Sequence, residues 1–183
     1  MKTKCICISG YAQHGKDTTA EMMKHVLSTR EKNAKNVKII HYADLLKYIC
    51  KSMFDWDGVK DEYGRSLLQY VGTDKVRKRD ESFWVRFVSD LVTIFDGEWD
   101  YVIIPDTRFP NEVNYLRDAG FDVMHIRVIR PNFDNGLTPS QKRHPSETAM
   151  ENESPDVTII NSGTPTDLLC RVKMLCDKLE FFR

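Results

Sequence analysis

The sequence predicts an α/β fold: a parallel sheet with flanking helices covering both faces. Short β-branched runs alternate with longer stretches of helical apolar spacing. The runs are almost continuously hydrophobic, as strands buried on both sides are. A glycine-containing loop joins the first run to the first helical stretch, the arrangement that places a strand end beside a helix start.

In chain order, the strand candidates are residues 5–9, 37–42, 101–105, 123–129 and 157–160. In the first, Cys5 and Cys7 alternate with Ile6 and Ile8, so both thiols share one face, where free cysteine serves as a small apolar filler. A helix is predicted from Lys16 to about Arg30, and others over 45–53, 66–71 and 82–95, the last from Phe83, Phe87, Leu91 and Ile94 at spacings of three and four. Residues 111–119 form a helix that Gly120 stops. The final helix has a marked start, with Thr164 as cap, Pro165 in the first turn and Asp167 completing a box. Two regions break the alternation: the polar stretch 55–80, and 131–155, the longest stretch without a strand. Within the latter, Thr138-Pro139-Ser140-Gln141 reads as a capped helix start, which points to an ordered, movable lid over about 131–155.

The chain has 183 residues, 41% hydrophobic and 30% charged, the balance of one globular domain covering 1–183. Its 27 basic side chains equal its 27 acidic ones, so no global field calls for a nucleic acid polymer or a membrane. No apolar run approaches the roughly 20 residues that span a bilayer, and the cytoplasm is the expected location. The five cysteines form no CxxC pair and no metal-ligand spacing.

The segment GYAQHGKDT, residues 10–18, matches most of G-x-x-x-x-G-K-[ST] between a strand and an amphipathic helix. Gly10 and Gly15 let the backbone wrap so that the N–H groups of Ala12, Gln13, His14 and their neighbours face an anion, and the helix N-terminus adds its dipole. Lys16 supplies a point charge for the β- and γ-phosphates of a nucleotide. The motif departs in one place: Asp17 stands where most such loops carry the hydroxyl that ligates magnesium, and Thr18 follows one residue late. Asp17 either holds the ion through water or favours the first turn of the helix. For His14, the backbone N–H is expected to matter more than the ring.

Asp106 ends a hydrophobic strand, the position at which an acid organises magnesium beside bound phosphates. Arg108 lies at the same edge and can grip phosphate bidentately. Phosphoryl transfer needs converging cations, and Arg77, Arg79, Arg130, Lys142 and Arg143 are the candidates, with Arg77 and Arg130 favoured. Trp84, with Phe83 and Phe87, either walls a base pocket or belongs to the core; Gln69 offers hydrogen bonds to a base edge. Asp44, after the second strand, either positions an acceptor or its sugar, or acts as general base towards an alcohol.

Five segments together resemble the deoxynucleoside monophosphate kinases of tailed bacteriophages and their bacterial relatives: GYAQHGKDT; HYADLLK; LLQYVGTDKVR with DESFWV; VIIPDTRFPNE; and HPSE with VTIINSGT. The resemblance implies a P-loop kinase of the nucleoside monophosphate kinase type, with an acceptor-binding insertion over about 44–96 and a lid. It implies ATP as donor, a deoxynucleoside monophosphate as acceptor and Mg2+ held by Asp17, Thr18 and Asp106. On the same ground, Lys16 holds the donor phosphates, Arg77 and Arg108 serve the acceptor phosphate or the transition state, Arg130 is a lid-side arginine and Asn161 meets the adenine. A homodimer is compatible with it, and the location becomes the host cytoplasm if a phage encodes the chain. The rival readings are a kinase of another small acceptor, such as phosphomevalonate or a sugar acid, and a nucleotide-binding regulator without catalysis. Pro105 lacks an N–H and is expected to end the pairing of its strand just before Asp106.

Overall fold

The computed structural model describes residues 2–181. Five strands, β1 (Lys4–Ser9), β2 (Val37–Ile39), β3 (Tyr101–Ile104), β4 (Asp122–Ile129) and β5 (Val157–Ile160), form one parallel sheet in the order β2-β3-β1-β4-β5. All five strands of the alternating pattern are present. The second is shorter than the expected 37–42, because Asp106 captures the backbone N–H of Tyr42 and turns the chain into a helix. Strand β3 stops at Ile104, before the proline, as expected.

The helices sort onto the two faces by the pleat of β1. Ile6 and Ile8 pack against α1 (Lys16–Ser28) and α8 (Pro165–Phe181), through Met23, Leu27, Leu168 and Val172. Cys5 and Cys7 lie on the opposite face with α4 (Phe83–Ile94) and α5 (Pro110–Asp118), against Val85, Val88, Val92 and Leu116. Burial pushes the Cys5 thiol up to about 12 and the Cys7 thiol higher still, so both stay protonated and apolar in character.

Between β2 and β3 the chain builds a satellite unit: α2 (Ala43–Met53), α3 (Glu62–Gln69), a π-helical segment Tyr70–Arg77, and α4. Its own small core holds Leu46, Cys50, Trp56, Val71 and Trp84. The polar stretch 55–80 is thus more helical than its composition suggests. Asp61 caps α3 by accepting from the Gly64 N–H at 2.7 Å, and the packing of Val71 and Trp84 carries the helix onward. Between β4 and β5, two short helices, α6 (Pro139–Lys142) and α7 (Pro145–Thr148), each carry a proline in the first turn; Thr138 caps α6 as its sequence indicates.

Candidate active site

A parallel sheet gathers the carboxyl ends of its strands at one edge, and the loops after β1, β3 and β4 meet there. The loop after β1 approaches β4 so closely that a Cβ on Gly10 would lie 2.3 Å from the Val128 carbonyl oxygen. With φ at +140° for Gly10 and +96° for Gly15, both positions need glycine. Lys16 is buried and folds back over the loop, its ammonium donating to the Gly10 and Tyr11 carbonyls at 2.8 Å each. Burial, helped by the charge of Arg108, lowers its pKa to about 8.

The His14 ring has a structural role beyond the one its sequence position suggests for its backbone. Nδ1 accepts from the Arg130 N–H at 3.1 Å, tying the loop to the end of β4, and burial favours the neutral ring. Asn161 also turns onto the loop, its amide donating to the His14 carbonyl at 3.0 Å. Gln13, at φ +62°, donates from its side chain to the Asn135 carbonyl.

A cleft of about 370 Å³ opens from this loop towards the satellite unit. Ala12, Gln13, Lys16, Asp17, Gln69, Arg77, Trp84, Asp106 and Arg108 line it, so nine of the expected site residues come together. The two Asp106 carboxylate oxygens accept from the Tyr42 and Ala43 N–H groups at 3.0 and 2.9 Å, which fixes the side chain across the start of α2. Trp84 is core, with its indole N–H donating to the Gly72 carbonyl at 2.9 Å, and its buried ring also lines the cleft. Phe83 packs edge-on against it, whereas Phe87 is exposed on the outer side of α4.

Other expected residues lie elsewhere. Thr18 is exposed on α1 and does not line the cleft, because the first helical turn points it outward. Asp44 also lies outside the lining, bonded to Lys47 and to the His41 N–H in the first turn of α2. Arg130 and Lys142 border a second, more open cavity of about 710 Å³ beside the loop. There Arg130 stacks on Phe133 at 3.9 Å and Lys142 pairs with Asp134. Arg79 and Arg143 are exposed and line neither cavity.

The cleft also contains groups that sequence reasoning does not single out. Lys47, Lys60 and Arg65 add three cations to its wall; burial and then the neighbouring Lys47 lower the pKa of Lys60. His41 bonds Asp17 at 3.1 Å, which raises the imidazole pKa and lowers that of the carboxyl. Glu112 is the anchor of the β3–α5 turn: one oxygen accepts from the Arg108 and Phe109 N–H groups at 2.6 and 3.1 Å, the other from Arg77 at 2.5 Å. Burial pushes its carboxyl up to about 7, with Arg77 opposing. Arg77 also stacks on Phe109 at 3.7 Å and bonds Asn111. Glu147, at the third position of α7, reaches the loop: it accepts from the Ala12 N–H at 3.0 Å and from the Arg108 guanidinium. A glutamate two residues after a helix-starting proline, in Pro110-Asn111-Glu112 and Pro145-Ser146-Glu147, is the sequence signal that marks both.

Over residues 28–172 the chain matches the profile of the family described as deoxynucleotide monophosphate kinase. It is 32% identical over 120 residues to the deoxynucleotide monophosphate kinase of Enterobacteria phage T4, covering 64% of this chain and 47% of that protein. The counterpart in Escherichia phage RB69 is 29% identical over 113 residues, 61% of this chain and 43% of that one. The chain thus spans about half the length of these phage relatives. A protein of Acanthamoeba polyphaga mimivirus ascribed to the same kinase aligns over 87% of this chain and 89% of its own length at 27% identity. Among solved structures, the APS kinase of Mycobacterium tuberculosis in complex with AMPPNP and APS superposes with a TM-score of 0.57 at 14% identity over 98% of both chains. The dephospho-CoA kinase of Campylobacter jejuni gives 0.56 at 12% over 97% of both. These likenesses show a P-loop kinase fold.

Proposed function

The chain belongs to the deoxynucleotide monophosphate kinase family, and from that premise we propose that it transfers the γ-phosphoryl group of ATP to the 5′-phosphate of a deoxynucleoside monophosphate. An acceptor phosphate oxygen bonds to the γ-phosphorus as the bond to the β,γ-bridging oxygen breaks, giving ADP and a deoxynucleoside diphosphate. The acceptor oxygen is already ionised, so the chemistry asks for alignment and charge stabilisation rather than a base.

The observation that carries this reading is the single cleft with anion-binding groups at both ends. At one end, the 10–18 loop and Lys16 hold the donor phosphates. At the other, Arg65 and Arg77 take the acceptor phosphate, with Gln69 and Trp84 beside its base. Arg108 lies between them, placed to bridge the transferring group. In this reading residues 44–96 are the acceptor-binding insertion, residues 131–155 are the lid, and Arg130 with Asn161 borders the donor nucleoside.

Mg2+ fits the donor set. Among the described residues no cluster of three or more His, Cys, Asp or Glu side chains forms a metal cage. Magnesium does not need one, because it is typically held by one or two carboxylates together with substrate phosphates and waters. Asp17 and Asp106 would hold it, Asp106 through water, since both of its oxygens already accept backbone N–H groups. When bound, the ion neutralises charge on the phosphate oxygens. Thr18 faces away and is left out of this assignment.

A coupled ADP-release assay against the four common deoxynucleoside monophosphates, their ribonucleotide counterparts, phosphomevalonate and sugar acids tests the proposal. ADP release that depends on at least one deoxynucleoside monophosphate is expected. Turnover only with a non-nucleotide acceptor would overturn it, and ATP binding without acceptor-dependent ADP release would make the chain a regulator instead.

A further inference from the structure

Glu147 is a buried carboxylate set among anion donors. Its side chain is 5% exposed, one oxygen accepts from the cradle N–H of Ala12 at 3.0 Å, and the other pairs with the Arg108 guanidinium. Arg108 also donates to the Ser146 carbonyl at 2.8 Å, so the whole α7 turn is attached to it. Local contacts shape the turn so that Glu147 points this way. Pro145 starts it, and the His144 ring accepts from the Ser146 N–H at 3.2 Å.

Two further contacts hold the same segment to the loop. The Tyr11 hydroxyl donates to Glu151 at 2.6 Å, and the Gln13 amide donates to the Asn135 carbonyl at 2.9 Å. The segment 131–155 therefore touches the cradle at three successive residues, Tyr11, Ala12 and Gln13, and Glu147 is the only one of these contacts that brings an anion to a backbone donor of the loop.

We propose that Glu147 is an internal competitor for the phosphoryl position of the cradle, which a polyphosphate must displace and which thereby couples binding to release of the 131–155 segment. This rests on the reading of the 10–18 loop as a phosphate site. A phosphate that takes the Ala12 N–H and the Arg108 guanidinium meets the Glu147 carboxylate as a second anion in a water-poor space, where like charges in contact strongly disfavour one another. One excludes the other. The fraction of molecules with Glu147 withdrawn then sets the apparent affinity. The same factor weakens every phosphate ligand, and one with many anionic oxygens, gripping Lys16 and the remaining loop amides as well, has the larger intrinsic affinity with which to meet it.

Isothermal titration of the full chain with inorganic tripolyphosphate and, separately, inorganic phosphate tests this. Glu147→Gln keeps the size of the side chain and removes the charge; it is expected to bind both probes about tenfold more tightly than wild type. Tyr11→Phe releases the segment at Glu151 without touching Arg108 or the Ala12 N–H, and a smaller tightening of about two- to threefold is expected. Equal or weaker binding by Glu147→Gln overturns the inference, and it is the result expected if Glu147 merely positions Arg108 in the loaded site. Should circular dichroism show that this variant does not fold, the Tyr11→Phe titration decides, and unchanged binding there overturns it. Lys16→Ala separates the two levels. Tripolyphosphate binding that depends on Lys16 but not on Glu147 overturns the inference alone, whereas no Lys16-dependent binding in wild type or Glu147→Gln overturns the phosphate-site reading and the inference with it.

Discussion

The two ends of the cleft are built by different means. The proposed donor end is a backbone device: one contiguous loop, two glycines at positive φ, and a helix start, with Lys16 folded onto the loop's own carbonyls. The proposed acceptor end is a side-chain device. Its groups come from α2, the 54–61 connection, α3, the π-helical segment, α4 and the β3–α5 turn, and Glu112 holds two of them, Arg77 and the turn that carries Arg108. A backbone device tolerates little change at its glycines but depends on few outside partners. A side-chain device depends on every anchor behind it, so its weak points lie away from the groups that touch ligand.

The largest effect is expected at the donor end. Lys16→Ala should lower kcat/KM by about a thousandfold, the scale of removing one preorganised charge from a transition state. Its thermal unfolding should change little, because the ammonium's partners are carbonyls at the loop rather than core groups. Turnover within a few-fold of wild type in a folded variant would remove Lys16 from the mechanism. The lowered pKa of Lys16, about 8, adds a pH signature. The protonated form is the one that binds phosphate, so kcat/KM should fall as pH rises through about 8 in the free enzyme. Lys16→Arg, which stays charged, should lose that alkaline limb even if its rate is lower.

At the acceptor end the expected loss is smaller and differently distributed. Glu112→Gln leaves Arg77 buried without its carboxylate and loosens the turn that carries Arg108. Removing one member of a buried pair should cost about 3 kcal/mol in urea unfolding. A misplacement of Arg77 by about 1 Å should cost roughly a hundredfold in kcat/KM for the acceptor, with the KM for ATP little changed. Arg77→Met combined with Glu112→Gln should recover part of the stability and none of the activity. If the single Glu112→Gln variant raised the KM for ATP as much as that for the acceptor, the division of the cleft into two independently built ends would fail.

The same division explains what the sequence made legible. The alternating apolar runs sufficed for the parallel sheet, because strands buried on both faces leave a strong local pattern. The cradle was legible because its glycines, lysine and helix start are consecutive residues. Asp106 and Arg108 could be placed because a strand end in a parallel sheet has one destination. Lys47, Lys60 and Arg65 carry no local mark: among 27 basic side chains, only the packing of the satellite unit decides which ones face the cleft. Asp44 and Thr18 lie outside the cleft lining by helical phase. Each lies within two residues of a group that does line the cleft, and about 100° of rotation per residue separates an inward position from an outward one. Glu112 and Glu147 carry a helix-start pattern that by itself implies capping alone, although their carboxylates also reach across to Arg77 and to Ala12.

The smallest expected effect is at an ion pair that joins the two ends, His41 of the proposed acceptor wall to Asp17 of the cradle. The Asp17 side chain is 79% exposed, so solvent screens the pair and its coupling should be no more than about 0.5 kcal/mol. A double-mutant cycle with Asp17→Asn and His41→Asn, read by urea unfolding at pH 6, measures it. The sign of its pH dependence follows from the two shifts. His41 titrates above its ordinary 6.5, so its contribution is complete below 6.5 and fades as pH rises through the raised value. Asp17 titrates below its ordinary 3.8, so its contribution is complete above 3.8 and fades as pH falls through the lowered value. The coupling should therefore be present between about pH 4 and 6.5 and absent at about pH 9. A coupling of more than about 1 kcal/mol, or one that persists at about pH 9, would mean that the cradle and the acceptor wall are stabilised as one unit. Lys16→Ala would then have to perturb the binding of the acceptor as well as that of the donor.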